Sequence, residues 1–135
     1  MSTEHADGRN RRAKLSVLVF GTYLVGLGLT LLLAPNVLLG VFGIPRTDEV
    51  WVRILGSVLT VIGYYQIQGG RTESEWFMRA SVVGRIGIAL TLFGLVAAGA
   101  AVPVIALFGA VDLAGAMWTA YALGHASPSR RLPGR

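Results

Sequence analysis

The sequence predicts an all-α protein, a bundle of four transmembrane helices running antiparallel, up and down, with a short interfacial segment after the first. Three observations carry this. Hydrophobic residues make up 53% of the 135 and charged residues only 14%, where a soluble domain carries roughly 25% charged residues. Four apolar stretches approach the ~20 residues a helix needs to cross the ~30 Å hydrocarbon core. Lysine and arginine gather at alternate ends of those stretches, the pattern that sets membrane orientation. The same composition excludes a disordered chain. The absence of Cys excludes disulfides, thiolate metal sites and Cys nucleophiles.

Residues 1–14 are polar and basic, with Arg9, Arg11, Arg12 and Lys14. The first apolar stretch, residues 15–34, is long enough to span and ends at Pro35. No small-residue cleavage site follows it, so no removable signal peptide is expected. Residues 36–44, bracketed by Pro35 and Pro45, are apolar but too short to cross and read as an interfacial or re-entrant segment. The second span, about 50–68, opens with Trp51, an interface marker. A polar loop with a Gly69-Gly70 break follows, and Trp76 and Phe77 mark the next interface. The third span is about 80–101. The very short turn at Pro103 makes it a helical hairpin with the fourth, about 103–123. Residues 124–135, with Arg130, Arg131 and Arg135, read as a disordered tail.

With four spans, the N-terminal cluster, Arg71, Arg79 and the tail arginines fall on one side; the other side has Arg46, with Arg53 just inside the second span. The expected location is the cytoplasmic membrane, multi-pass, with both termini cytoplasmic. The formal charge of +5 is thus a topology signal. Its division into short flanks argues against nucleic acid as a partner, while the N-terminal cluster suits anionic lipid.

One pattern recurs in every span: GLGLT at Gly26–Thr30, GSVLT at Gly56–Thr60, GIALT at Gly87–Thr91 and GAMWT at Gly115–Thr119. Gly and Thr four apart share a helix face. The face extends seven residues on from each Gly to Leu33, Gly63, Gly94 and Ala122. Small residues at this spacing let backbones approach closely in lipid, so these stripes are expected to line the bundle's seams. Membrane helices are rich in Gly and Thr, and composition alone would produce some of the matches.

Asp112 lies near the middle of the fourth span. A charge there costs roughly 2.5–3.5 kcal/mol on insertion scales and marks a site or an internal partner. It shares a face with Gly115 and Thr119, and Arg53 stands in the same relation to Gly56 and Thr60. An Arg53–Asp112 pair is therefore the leading expectation, although their depths differ by roughly 9 Å. Arg85 is the alternative partner. It sits more than a quarter turn from the Gly87–Thr91 stripe, so snorkelling to cytoplasmic headgroups is its expected arrangement. Such a pair either fixes helix register or forms a polar pocket to which Tyr23, Tyr64, Tyr65, Gln66 and Gln68 could add hydrogen-bonding groups.

His5 and His125 lie in the polar termini, remote from carboxylates at ligand spacing, so no metal and no cofactor is expected. No inward His is present for a nucleophilic triad, and the glycines match no phosphate-binding loop. Asp112 is alone in the spans, which leaves no carboxylate pair for acid–base work. An enzyme is not expected.

The runs APNVLLGVFGIP, VRILGSVLTVIGYY, RASVVGRIGIAL and GAVDLAGAMWTAYAL resemble small four-helix bacterial membrane proteins of the BphX-like and DoxX-like kind, over roughly residues 15–123. The resemblance implies a four-helix bundle. DoxX-like members are linked to oxidoreductase or quinone-associated complexes, which implies an accessory role here, without a redox ligand of the chain's own. The expected function is a non-enzymatic scaffold, accessory protein or binder of a lipid-like molecule. A small transporter or channel subunit with Asp112 as its ion or proton site is the alternative. Expected partners are membrane lipid, other membrane proteins, a quinone- or lipid-like ligand, or a second copy in a homo-oligomer.

Because the chain has no Cys, single-cysteine labelling reads the orientation cleanly. Ser2→Cys and Ser129→Cys are expected to react with a membrane-impermeant maleimide only when the cytoplasmic face is exposed. Asp48→Cys is expected to react only from the other side.

Overall fold

Hydrocarbon offers a backbone no hydrogen-bond partners, so each span satisfies its own as a helix. The computed structural model describes residues 2–124 and contains five helices there: α1 (Ser2–Leu33), α2 (Pro35–Val41), α3 (Val50–Arg71), α4 (Glu75–Ala97) and α5 (Ile105–Gly124). Four helical stretches are long and apolar enough to cross a membrane, Arg11–Leu33, Val50–Arg71, Glu75–Ala97 and Ile105–Gly124. The expected tail, apart from Gly124, lies outside the described residues.

The polar residues 2–14 are not a separate segment but the first turns of α1. At 32 residues that helix is about 48 Å long, so it projects beyond the hydrocarbon. Lys14 Nζ meets Glu73 Oε1 at 2.6 Å, which places the basic start of α1 and the α3–α4 loop at one end. That loop turns through Glu73 at φ 54°. Ser74 then caps α4 by accepting from Phe77 N–H, one of the donors a helix start leaves unpaired.

At the opposite end Pro35 breaks α1 and occupies the first turn of α2, where a missing N–H costs nothing. Asn36 closes the connection that follows, donating from Nδ2 to Thr47 O and accepting from Thr47 N–H. The short helix between the two prolines is the interfacial element expected there. Its end docks through Phe42, whose ring meets Phe108 of α5 edge-on at 4.9 Å. The α4–α5 turn is longer than a bare Pro103 turn. Gly99 ends α4 with φ 71°, and Ala100 N–H reaches back to Leu95 O, a left-handed stop that favours Gly.

The four spans pack mainly as two pairs, α1 with α3 and α4 with α5, joined where α1 lies against α5. The α1–α3 seam is a glycine contact. A Cβ on Gly28 would sit 2.6 Å from Gly56 O, and one on Gly63 would sit 2.7 Å from Gly21 O. Thr60 packs into the same seam. Contacts between α3 and α4 are fewer. The named ones lie near their loop, where Phe77 covers Gly69 and Ser81 Oγ donates to Gln66 Oε1 at 2.9 Å.

The recurring Gly–Thr face thus lines seams on two helices only. On α3, Gly56, Thr60 and Gly63 face α1, and on α5, Gly115, Thr119 and Ala122 face inward. On α1 the contact residues are Gly21 and Gly28, seven apart, and Gly26 has open space where a Cβ would stand. Thr30, like Thr91 on α4, donates to its own helix, at Gly26 O and Gly87 O respectively. On α4, Gly87 and Gly94 are also open, because the inward face is Met78, Ser81, Arg85 and Ala89. In lipid, polar groups claim the inward position ahead of small ones, since a small residue facing lipid loses little.

Gly56→Ala would press a methyl to 2.5 Å from Leu32 N and is expected to cost about 1–3 kcal/mol by overpacking. Gly87→Ala is expected to be neutral or to stabilise by up to about 1 kcal/mol through helix propensity. Unfolding of the purified protein by a denaturing detergent measures both.

Candidate functional site

The inward faces of α1, α4 and α5 meet around one guanidinium. Arg85 is the eleventh of 23 residues in α4, so it sits at mid-span with only 3% exposure. It does not snorkel. Its spacing from Met78, Ser81 and Ala89 puts it on the face turned toward α5 and α1. The group lies over the Phe20 ring of α1 at 3.7 Å, a cation–π contact that gains strength where water is excluded. Gly115 makes room for it, since a Cβ there would stand 3.0 Å from Arg85 Nη1.

A hydroxyl pair supports the guanidinium from one side. Ser16 and Thr119 are buried, with Oγ and Oγ1 2.6 Å apart. Thr119 Oγ1 gives its proton to Gly115 O at 3.0 Å. Ser16 must therefore donate to Thr119, and Arg85 Nη1 donates to the same oxygen at 3.4 Å. That oxygen then has both lone pairs engaged. The remaining Arg85 nitrogens, Nε and Nη2, are buried and lack any hydrogen-bond partner.

Asp112, the eighth of 20 residues in α5, lies on the same inward face of that helix, two turns before Thr119. It is partly accessible and interacts electrostatically with Arg85 and with Tyr23. It forms no ion pair within 4.0 Å; the salt bridges among the described residues are Lys14–Glu73 and Arg79–Glu75. Arg85 and Asp112 are therefore neighbours without direct contact. Tyr23 is half-buried beside them, its ring 5.9 Å from that of Phe20.

Arg53 is not part of this centre. Its Nη1 donates to Leu32 O at 2.6 Å, and its side chain is exposed near the α2 end of the bundle. The last carbonyls of α1 lack intrahelical partners and form the negative end of the helix dipole, which draws the cation there. Tyr64 is also elsewhere, exposed on α3 and accepting from Gln68 Nε2, with Tyr65 beside it. Gln66 is spent on the α3–α4 contact. The sequence reading missed Ser16, Phe20 and Ser81. Ser81 and Arg85, four apart beyond the charged first turns of α4, were the available signal for its inward face. Nothing in α1 marked Ser16 beyond its being polar.

Among the described residues no three of His, Cys, Asp and Glu come together as metal ligands do. The chemistry present is that of a held cation with donors to spare, a nearby carboxylate and a phenol.

Thr119→Val removes the acceptor shared by Ser16 and Arg85 and is expected to destabilise the bundle by about 1–3 kcal/mol, with Thr119→Ser largely restoring it. Thr91→Val, at an exposed position, is expected to change stability by less than about 0.5 kcal/mol. Unfolding in detergent again provides the measurement. No protein family, curated protein or solved structure matches the chain, so the fold and this centre stand on their own geometry as those of a multi-pass membrane protein.

Proposed function

We propose that this chain is a non-enzymatic protein of the cytoplasmic membrane, with both termini cytoplasmic, that binds the polar end of a lipid-like molecule at the Arg85 centre. One observation carries the reading: a guanidinium buried at mid-span with two nitrogens unpartnered. A charge at that depth is costly and is retained where it has a partner or a task. Purely structural arginines at bundle seams satisfy their donors with carboxylates or backbone carbonyls, and here the nearest carboxylate stands off.

Access is compatible with such a ligand. Asp112 is partly accessible on the inward face of α5, and contact between α3 and α4 is slight away from their loop. An amphipathic molecule reaching the centre from the bilayer would keep its chain among the exposed apolar side chains of the spans. We place the protein in an accessory role within a larger membrane assembly, which is what the sequence resemblance of residues 15–123 implied, although no family model matches the chain. In that setting the bound molecule would be presented or sequestered, not converted.

A second reading is a small transporter or channel subunit, working as an oligomer with Asp112 as its ion or proton site. The observation favouring it is the partly accessible, unpaired carboxylate at mid-span. Native mass spectrometry and flux assays separate the two. Binding predicts a co-purified amphiphile on the wild-type protein that is lost in Arg85→Leu, and no ion or proton flux in proteoliposomes. A transporter predicts flux in wild type that Asp112→Asn abolishes while the bundle stays folded.

A further inference from the structure

The two unpartnered nitrogens of Arg85 are not an arbitrary pair. Nε–H and the adjacent N–H of Nη2 lie along one edge of the planar guanidinium and point the same way. That edge is the fork that takes two oxygens of a carboxylate or phosphate side by side. Nη1, in the same plane but away from that edge, is already held by Thr119 at 3.4 Å, and the Phe20 ring covers one face at 3.7 Å. The group is thus fixed by its neighbours, with its bidentate edge left over. On the same buried face of α4, Met78 and Ala89 are apolar and Ser81 is hydrogen-bonded to Gln66, and no side chain accepts from that edge.

We infer that this edge holds a two-oxygen anionic head, a carboxylate or a phosphate, carried on a hydrocarbon chain. The inference rests on the ligand-binding reading above and names the ligand's chemistry. A positive fork selects an anion, and two parallel donors select paired oxygens over the single oxygen of an alcohol or ketone. The surroundings select an amphiphile, because Arg85 lies ten residues beyond Glu75 at the start of α4, about 15 Å along the helix, in a bundle whose outer surface is apolar.

Asp112 sets the selectivity. It is the internal carboxylate within electrostatic reach of the same guanidinium, and its negative charge opposes a second anion at the fork. Tyr23 on α1 is the other titratable group facing it. Neutralising Asp112 therefore strengthens binding of the anionic head, the reverse of what a direct ligand-binding carboxylate would show. Asp112 is a positioning residue for the site's charge balance and makes no contact with the head itself.

The test uses the full-length protein in nanodiscs of a zwitterionic lipid, with three spin-labelled probes of equal chain length ending in a carboxylate, a phosphate or a methyl ester. Electron paramagnetic resonance reads the immobilised fraction. The expected result is that one or both anionic probes are immobilised and the ester is not. Whichever anionic head is held more tightly identifies the source, fatty acid or phospholipid-type. Arg85→Lys keeps the charge but loses the fork, and should weaken binding about tenfold or more while leaving the helix content unchanged; Asp112→Asn should tighten it several-fold. Equal immobilisation of the ester overturns the anion inference and leaves lipid-like ligand binding standing. Immobilisation of none of the probes overturns both. Unchanged binding in Arg85→Lys, or weakened binding in Asp112→Asn, overturns the assignment of the fork or of the opposing charge.

Discussion

Lipid withholds water from every polar group in the spans, and the burial of Arg85 at their common centre is the point on which the bundle depends. A guanidinium at mid-span has few affordable positions: it reaches a headgroup, it faces lipid at a cost of several kcal/mol, or it is enclosed by protein. Here it is enclosed, at 3% exposure, and three helices are committed by that choice. Phe20 of α1 supplies a face, Gly115 of α5 supplies room, and Thr119 with Ser16 supplies an acceptor. The rotation of α4 about its axis follows directly, with Gly87 and Gly94 turned outward as a consequence.

The two helix pairs are held by different means. In the α1–α3 pair, backbones meet through Gly21, Gly28, Gly56 and Gly63 with almost no side chain between them. Dispersion over close backbones is the attraction available where apolar side chains gain nothing by leaving the lipid tails. Between the α1–α3 pair and the α4–α5 pair polar ties join an apolar cluster of Ala13, Val17, Met78, Ala122 and Leu123: Ser16 to Thr119, Gln66 to Ser81, and the Arg85 guanidinium over the Phe20 ring. Close packing gives a rigid half. Polar ties around an unfilled donor edge give a junction that can admit another group. The helix at the centre of both is α1, the most buried of the four spans.

Much of the architecture was legible in the sequence because it follows from solvent. The spans, the interfacial helix between Pro35 and Pro45 and the up-and-down order rest on apolar length, proline placement and charge asymmetry, which local chemistry dictates. The face of each helix was only half legible. Gly56, Thr60 and Gly63 on α3 and Gly115, Thr119 and Ala122 on α5 face inward as their spacing suggests. On α1 and α4 the same motif faces out, because a repeat of small residues says that a face can pack, not that it does. The centre itself was partly visible: Asp112 stood out as a charge at depth, Arg85 was its alternative partner but was expected to snorkel, and Tyr23 lies beside them. Arg53 was drawn instead to the unpaired carbonyl of Leu32, an attraction created by the end of α1 and invisible to face arithmetic on α3. Ser16 and Phe20 belong to a different helix from Arg85, and no local pattern announces a contact between elements so distant in the chain.

The burial of Arg85 is the central claim, and solid-state NMR in bilayers tests it most directly. Dipolar recoupling from the Arg85 guanidinium carbon, identified by its loss in Arg85→Lys, reports which nuclei lie within a few ångströms. The account predicts coupling to the ring carbons of Phe20, in keeping with the 3.7 Å separation, and none to lipid phosphorus. Coupling to phosphorus without coupling to that ring would place the side chain at the headgroups and contradict the account.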